Sequence, residues 1–256
     1  PLSSMPYPLA HLPKHLPTVP LLASDMDGTL TIAEKFTPQM LTAMQRLAAR
    51  NIPLLIVTGR SAGWVSGVAH YLPIAGAIAE NGGVFYQGSE QTFLVPIEEV
   101  AAHRQKLAAM FQGLQAKFPN LRESHDNQFR LTDWTFDVAG LSLEHLREMA
   151  ADCHAVGWSF TYSTVQCHIK LPQQEKAQGL AQVLQRVFPG IGLHKIVALG
   201  DSPNDESLFA LPYSVGVANV QGYLTQMQQI PKFITTQTEG NGFCELVELL
   251  LGMDRI

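Results

Sequence analysis

Leu21-Leu22-Ala23-Ser24-Asp25-Met26-Asp27-Gly28-Thr29-Leu30 is the stretch whose reading decides the fold. Its apolar start reads as a buried strand, and two carboxylates one residue apart follow directly. On an extended backbone, residues i and i+2 share a face, so both acids point into one site at the strand's end. Gly28 permits a tight turn and close approach of a ligand to the backbone. Fold stability has no use for paired, unpartnered acids there. Catalysis does, since one carboxylate can attack as a nucleophile while its neighbour handles the proton.

Outward from this stretch the pattern is regular. Thr37 reads as an N-cap and Pro38 as the first position of a helix whose apolar residues Met40, Leu41, Met44, Leu47 and Ala48 recur at helical spacing. Ile52 to Val57 reads as a second strand ending in Thr58-Gly59-Arg60. A helix over Ser61 to Tyr71 leads to a third strand, Gly76 to Ala79, and then Glu80-Asn81-Gly82-Gly83. Alternation of strand and helix predicts an α/β protein with a doubly wound, Rossmann-like parallel sheet.

The rhythm breaks after Gly83. A hairpin (Val84 to Val95), a helix from about Glu98 to Phe118, a strand from Gln128 to Val138 with a bulge, a second helix and a second hairpin read as an inserted α+β unit. The α/β pattern resumes with a helix near Gln174 to Val187 and a strand ending in Gly200-Asp201-Ser202-Pro203-Asn204-Asp205. The chain thus divides into a proline-rich leader, residues 1–20, read as extended and disordered; a core, residues 21–83 and 172–256; and an α+β cap, residues 84–171.

Three predicted strand ends carry functional groups: Asp25 with Asp27, Thr58, and Asp201 with Asp205. Ligands of open parallel sheets bind at the carboxyl ends of strands, so the three sets converge. Four acids in one place repel one another unless a cation sits among them. Oxygen donors without His or Cys point to Mg²⁺. Thr58 can donate to an anionic oxygen, and the N-terminus of the helix after it adds backbone donors. A positive side chain is still needed. Lys176, near the start of the helix that re-enters the core, and Lys170 are the two candidates.

This ordered set resembles the four motifs of the haloacid dehalogenase superfamily of phosphohydrolases, and the insertion resembles its αβ-capped branch. The resemblance implies that Asp25 attacks phosphorus to form an aspartyl-phosphate. Asp27 then protonates the leaving oxygen and activates water, its backbone carbonyl also touching Mg²⁺. Thr58, Gly59 and Lys176 hold the phosphate. Asp25, Asp27 and Asp201 bind the metal, Asp205 ligates or orients it, and Asn204 supports that shell. The second acid speaks against a dehalogenase. Ser202-Pro203, where many relatives have Gly and a variable residue, is similar to phosphatases of sucrose phosphate and mannosyl-phosphoglycerate, so a sugar phosphate or glycosyl-phosphoglycerate is the expected substrate.

Specificity is expected in the insertion. Along Val165 to Leu171 the apolar residues Val165, Cys167, Ile169 and Leu171 fall on one face, and Gln166, His168 and Lys170 on the other. The polar trio either binds a sugar or acid or forms a solvated face. Arg130, Arg60 and Asn81 are further candidates for substrate contact. The alternatives are a hexose phosphomutase, with the same chemistry, and a phosphosugar-binding regulator that has kept the fold without turnover.

Composition bounds these readings. In 256 residues, 46% are hydrophobic and 15% charged, which describes a globular protein with a sizeable core. A net charge of -5 argues against nucleic acid, which needs a basic stripe. No apolar run reaches the length of a membrane span. Three scattered cysteines suggest a reducing, cytoplasmic setting. The expected partner is a small phosphorylated metabolite, and the oligomeric state is left open.

Overall fold

Each apolar stretch that precedes a functional motif is a strand covered on both faces. The computed structural model describes residues 5–14, 16 and 18–253. In chain order they form β1 (Tyr7–Pro8), β2 (Leu22–Ser24), α1 (Pro38–Ala49), β3 (Leu54–Val57), α2 (Ala62–Tyr71) and β4 (Gly76–Ala79). Next come β5 (Val84–Gln87), β6 (Glu90–Phe93), α3 (Val100–Lys117), β7 (Trp134–Asp137), α4 (Leu143–Ala155), β8 (Ser159–Tyr162) and β9 (Gln166–Lys170). The chain ends with α5 (Lys176–Val187), β10 (Val197–Gly200), α6 (Glu206–Phe209), β11 (Ser214–Gly216), β12 (Phe233–Ile234) and α7 (Glu239–Met253).

Nine strands make one sheet in the order β1-β12-β11-β10-β2-β3-β4-β5-β6. It is parallel from β1 through β4, and β5 and β6 add to it antiparallel. Period-two alternation explains the double covering. Leu22, Leu54, Ile56, Val197 and Leu199 pack with α1, α2 and α7, while Leu21, Ala23, Leu55, Val57 and Ala198 pack with Leu180, Val183 and Leu184 of α5. From β2 the chain steps one way, to β3 and β4; from β10 it steps the other way, to β11 and β12. The switch point lies between β2 and β10, where such sheets bind ligands. Among the described residues no helix is long and apolar enough to cross a membrane.

The second sheet, β7-β9-β8, is antiparallel. Phe136, Cys167 and Ile169 on one face pack against Leu107, Phe111 and Leu114 of α3 and Leu146, Met149 and Cys153 of α4. The other face carries Thr135, Gln166, His168 and Lys170, all buried.

Three expectations need correction. The hairpin after Gly83 is not part of the insertion: Ala77, Ile78 and Ala79 pair with Tyr86, Phe85 and Val84, so β5 and β6 continue the large sheet. The leader is not a loose tail in its described part. Tyr7 and Pro8 pair with Phe233 and Ile234 at the sheet edge, and Leu9, Leu12 and Leu16 enter the core. Between Gln128 and Val138 there is no bulged strand but a 3-10 turn, His125–Phe129, then a loop, and only Trp134–Asp137 as strand. The loop exists because Leu131 and Thr132 give their backbone N–H groups to the Glu80 carboxylate instead of to a neighbouring strand.

Candidate active site

Register brings the three motifs together. Leu199 lies opposite Ser24, and Ser24 opposite Ile56, so β10, β2 and β3 end level and Asp201, Asp25 and Thr58 follow side by side. Lys176 opens α5 beneath them. It is fully buried, and its Nζ donates to Asp25 Oδ1 and to Asp205 Oδ1, each at 2.6 Å. The surface-lysine reading is thereby excluded, and Lys176 rather than Lys170 supplies the positive charge. Burial alone would push its ammonium down, but Asp205 and Asp25 hold it above its ordinary value.

The acids outnumber that one cation. Oxygens of Asp25, Asp201 and Asp205 lie within 4.8 Å of one another. Burial, then Asp205, pushes the Asp25 carboxyl up to about 7 against the pull of Lys176. Burial and the neighbouring Asp25 and Asp205 hold Asp201 well above the carboxylate range. Asp205 is spent locally: Oδ2 accepts the N–H groups of Asp201 and Ser202, and Oδ1 accepts Lys176. Asp205 thus orients the loop as well as holding Lys176. Asn219 donates to Asp201 Oδ2 and to the Gly28 carbonyl, both at 3.0 Å. Gly28 has φ +75° and lies so near Asp201 that a Cβ would sit 2.5 Å from Oδ2, so only glycine fits.

The sequence profile of the haloacid dehalogenase-like hydrolases matches residues 22–118. A protein of Halorubrum lacusprofundi named phosphoglycolate phosphatase is 34% identical, over 80% of this chain and 86% of its own length. The chain belongs to the haloacid dehalogenase-like hydrolases. It is a phosphatase of that family. A phosphoglycolate phosphatase of Methanothrix thermoacetophila is 29% identical, over 89% of this chain and 95% of its own. The crystal structure of Thermoplasma acidophilum 0175 superposes with a TM-score of 0.73 at 18% identity, covering 93% of this hydrolase and all of that chain, a likeness of fold.

The remaining predicted residues divide sharply. Asp25, Asp27, Thr58, Gly59, Arg60 and Asn204 line one side of a cavity of about 10 Å³, and Ser163, Val165, Gln166 and His168 the other. Asp25 and Asp27 share the cavity, but they are held by different partners. Asp27 lies in the turn after β2, outside the cluster of three acids, and both its oxygens accept from Arg60, at 2.8 and 2.7 Å. Arg60 is thus a partner of Asp27 and not an open substrate group. Asn204 bridges Ser202 and Asn81, and the Asn81 Nδ2 is buried with no partner among the described residues.

Two cap candidates fail as substrate groups. Arg130 is buried, donating to Asp133, Asp126, Gln166 and the Gly59 carbonyl, so it ties the phosphate loop to the insertion. Lys170 does not line the cavity; it donates to the Gln174 carbonyl and the Glu175 carboxylate. Three of the expected backbone donors at the start of α2 are also taken. Ser61 N–H goes to Asp126, Ala62 N–H to Glu80 and Trp64 N–H to the Ser61 hydroxyl. Asn219, Glu80, Asp126, Asp133 and Ser163 escaped the sequence reading. Glu80 ends a predicted strand beside Asn81 but carries no signal of its contacts, and the others lie in stretches with no periodic pattern.

Proposed function

We propose that this phosphatase hydrolyses the phosphate monoester of a small carboxylic acid, phosphoglycolate or a close relative, with the phosphoryl group carried on Asp25 in passing. The observation that carries the reading is the buried Asp25–Lys176–Asp205 arrangement at the sheet's switch point. Lys176 holds one oxygen of Asp25 and leaves the other to attack phosphorus. As the new O–P bond forms, the ester O–P bond breaks, and the leaving oxygen takes a proton from Asp27. Water that gives its proton back to Asp27 then attacks the phosphorus and frees Asp25. In the resting site both Asp27 oxygens accept from Arg60, and its turn as acid requires that pair to loosen. Thr58 Oγ1 accepts the Arg60 N–H at 3.1 Å, so its own hydrogen remains for a phosphoryl oxygen.

Mg²⁺ fits the donors present. Asp25 and Asp201 offer hard oxygens, and their raised proton affinities mark a site short of positive charge. Bound there, the ion would neutralise the acids and polarise the phosphoryl group.

The names of the relatives support an acid as the leaving group, and so do the walls. They are polar and close, and among the described residues no Phe, Tyr or Trp lines the cavity to stack on a sugar. About 10 Å³ holds roughly one water, so the insertion must withdraw to admit substrate. A sugar phosphate remains the second reading, favoured by the Ser202-Pro203 motif. The test is phosphate release from 2-phosphoglycolate and a panel of sugar phosphates, with and without Mg²⁺. Turnover of phosphoglycolate that needs Mg²⁺ and Asp25 is expected. Release from sugar phosphates alone would overturn the substrate, and turnover surviving Asp25→Asn would overturn the mechanism.

A further inference from the structure

One polar atom in the cavity wall is not explained by the chemistry above. His168 is 1% exposed, and its Nε2 has no hydrogen-bond partner among the described residues. Its Nδ1 lies 2.9 Å from Asp133 Oδ2. Burial would raise the Asp133 carboxyl, but Arg130 and then His168 hold it below the ordinary range, so it stays a carboxylate. Asp133 therefore takes the hydrogen of Nδ1 and fixes the ring, and Nε2 is left aimed at the cavity. The aim is tight: a Cβ on Gly59 would meet His168 Cε1 at 3.0 Å and Nε2 at 3.1 Å. Glycine after Thr58 is what lets the imidazole reach the phosphate loop.

We infer that His168 reads the leaving group, with Nε2 donating to the substrate's carboxylate. The inference rests on the phosphatase reading of the preceding section. Direction gives the first reason. In-line displacement puts the leaving oxygen on the side of phosphorus away from the nucleophile. Asp25 rises from β2, so the leaving group faces β9, where His168 sits opposite Thr135 and Thr161.

Charge gives the second. Of the cavity-lining residues, only Arg60 and His168 can be positive. Arg60 already spends two N–H groups on Asp27. The other charged groups facing the ring are Asp133, Arg130 and Asp126 from the insertion, with Asp25 and Asp27 across the cavity. Arg130 is matched by Asp126 and Asp133 together, which leaves one negative charge behind the imidazole for a proton to balance. Burial keeps the ring below its usual value in the empty site. When a carboxylate arrives at Nε2 the ring takes up that proton from solvent, and it gives the proton back when product departs.

Two substitutions separate contact from scaffolding. His168→Asn keeps an N–H near the position of Nδ1 and removes Nε2, whereas His168→Gln places an amide N–H near Nε2 and gives up the bond to Asp133. The readout is kcat/KM for 2-phosphoglycolate divided by that for ethyl phosphate, which carries a methyl group in place of the carboxylate. The wild type should favour phosphoglycolate. His168→Asn should cut the ratio about 10- to 100-fold, the range of one charge-assisted hydrogen bond, and His168→Gln should retain more of it. An unchanged ratio in His168→Asn, or equal losses on both esters, overturns the inference, the latter by moving the contact to the phosphoryl group. A wild type without preference for the carboxylated ester overturns it even if the Asn variant does not fold. Failure to release phosphate from either ester would instead break the reading on which it rests.

Discussion

Two buried clusters of acids stand side by side in this molecule, and they are built to opposite rules. In the first, Asp25, Asp201 and Asp205 share a single ammonium, Lys176, and Asp25 and Asp201 hold their protons far more tightly than usual. In the second, Asp126 and Asp133 surround Arg130, with Gln166 and His168 closing the ring, and both acids lie below the ordinary range. Both are desolvated, so burial does not distinguish them. The difference is how much countercharge the chain supplies: one guanidinium for two acids in the second cluster, one ammonium for three in the first. The better-matched cluster holds the insertion against the loop that carries Gly59. The other, with three acids around one ammonium, is where the proposed cation and phosphoryl group would bind.

The contrast breaks most readily at Asp25. Asp25→Asn removes the nucleophile and little volume, so kcat should fall by about 10⁴-fold or more while far-UV circular dichroism stays native. A stable fold with turnover near wild type would mean the first cluster is not where bonds change.

Arg130→Met is the matching cut in the second cluster. It leaves Asp126, Asp133 and the Gly59 carbonyl buried without their donor. Removing one partner of a buried ion pair costs about 3–5 kcal/mol, to be read from urea unfolding. A cost under about 1 kcal/mol would show that the network is not what holds this region.

The third prediction sharpens the difference in charge. Asp25 titrates near 7 in the folded protein against an ordinary 3.8. Between those values the folded state binds more protons than the unfolded chain, so metal-free stability should fall as pH rises through that window. Mg²⁺ should reverse the loss. At a concentration about 100 times its Kd it should add about 2.7 kcal/mol, seen as a Tm increase larger near pH 8 than near pH 5. An equal gain at both would place the ion elsewhere. The smallest effect belongs to Asn219→Ala, which frees Asp201 from its orienting amide and should weaken Mg²⁺ binding by about tenfold in calorimetry.

What the chain betrayed of this arrangement follows the same division. The first cluster was legible because each member closes an apolar strand or opens a helix, so periodicity and the switch point place Asp25, Thr58 and Asp201 without knowledge of any contact. Lys176 was legible only beside Lys170, since a lysine near a helix start otherwise reads as solvated, and the resemblance chose between the two. The second cluster was not legible as a cluster. Arg130, Asp126 and Asp133 lie within eight residues on a 3-10 turn and loop with no periodic pattern, and their meaning comes from Gln166, His168 and Gly59, distant in sequence. The hairpin after Gly83 failed for a related reason. Its alternation shows that it pairs, but not with what. In the leader, six prolines masked Leu9, Leu12 and Leu16, whose burial depends on a sheet edge formed more than 200 residues later.

A rapid acid quench of the wild-type enzyme during turnover of 2-phosphoglycolate with Mg²⁺, followed by peptide mass analysis, asks the central question directly. The arrangement around Lys176 predicts one phosphoryl group on the peptide that contains Asp25, labile to hydroxylamine and absent in Asp25→Asn. Steady turnover with that peptide unmodified at every quench time, or with the phosphoryl group on another residue, would contradict it.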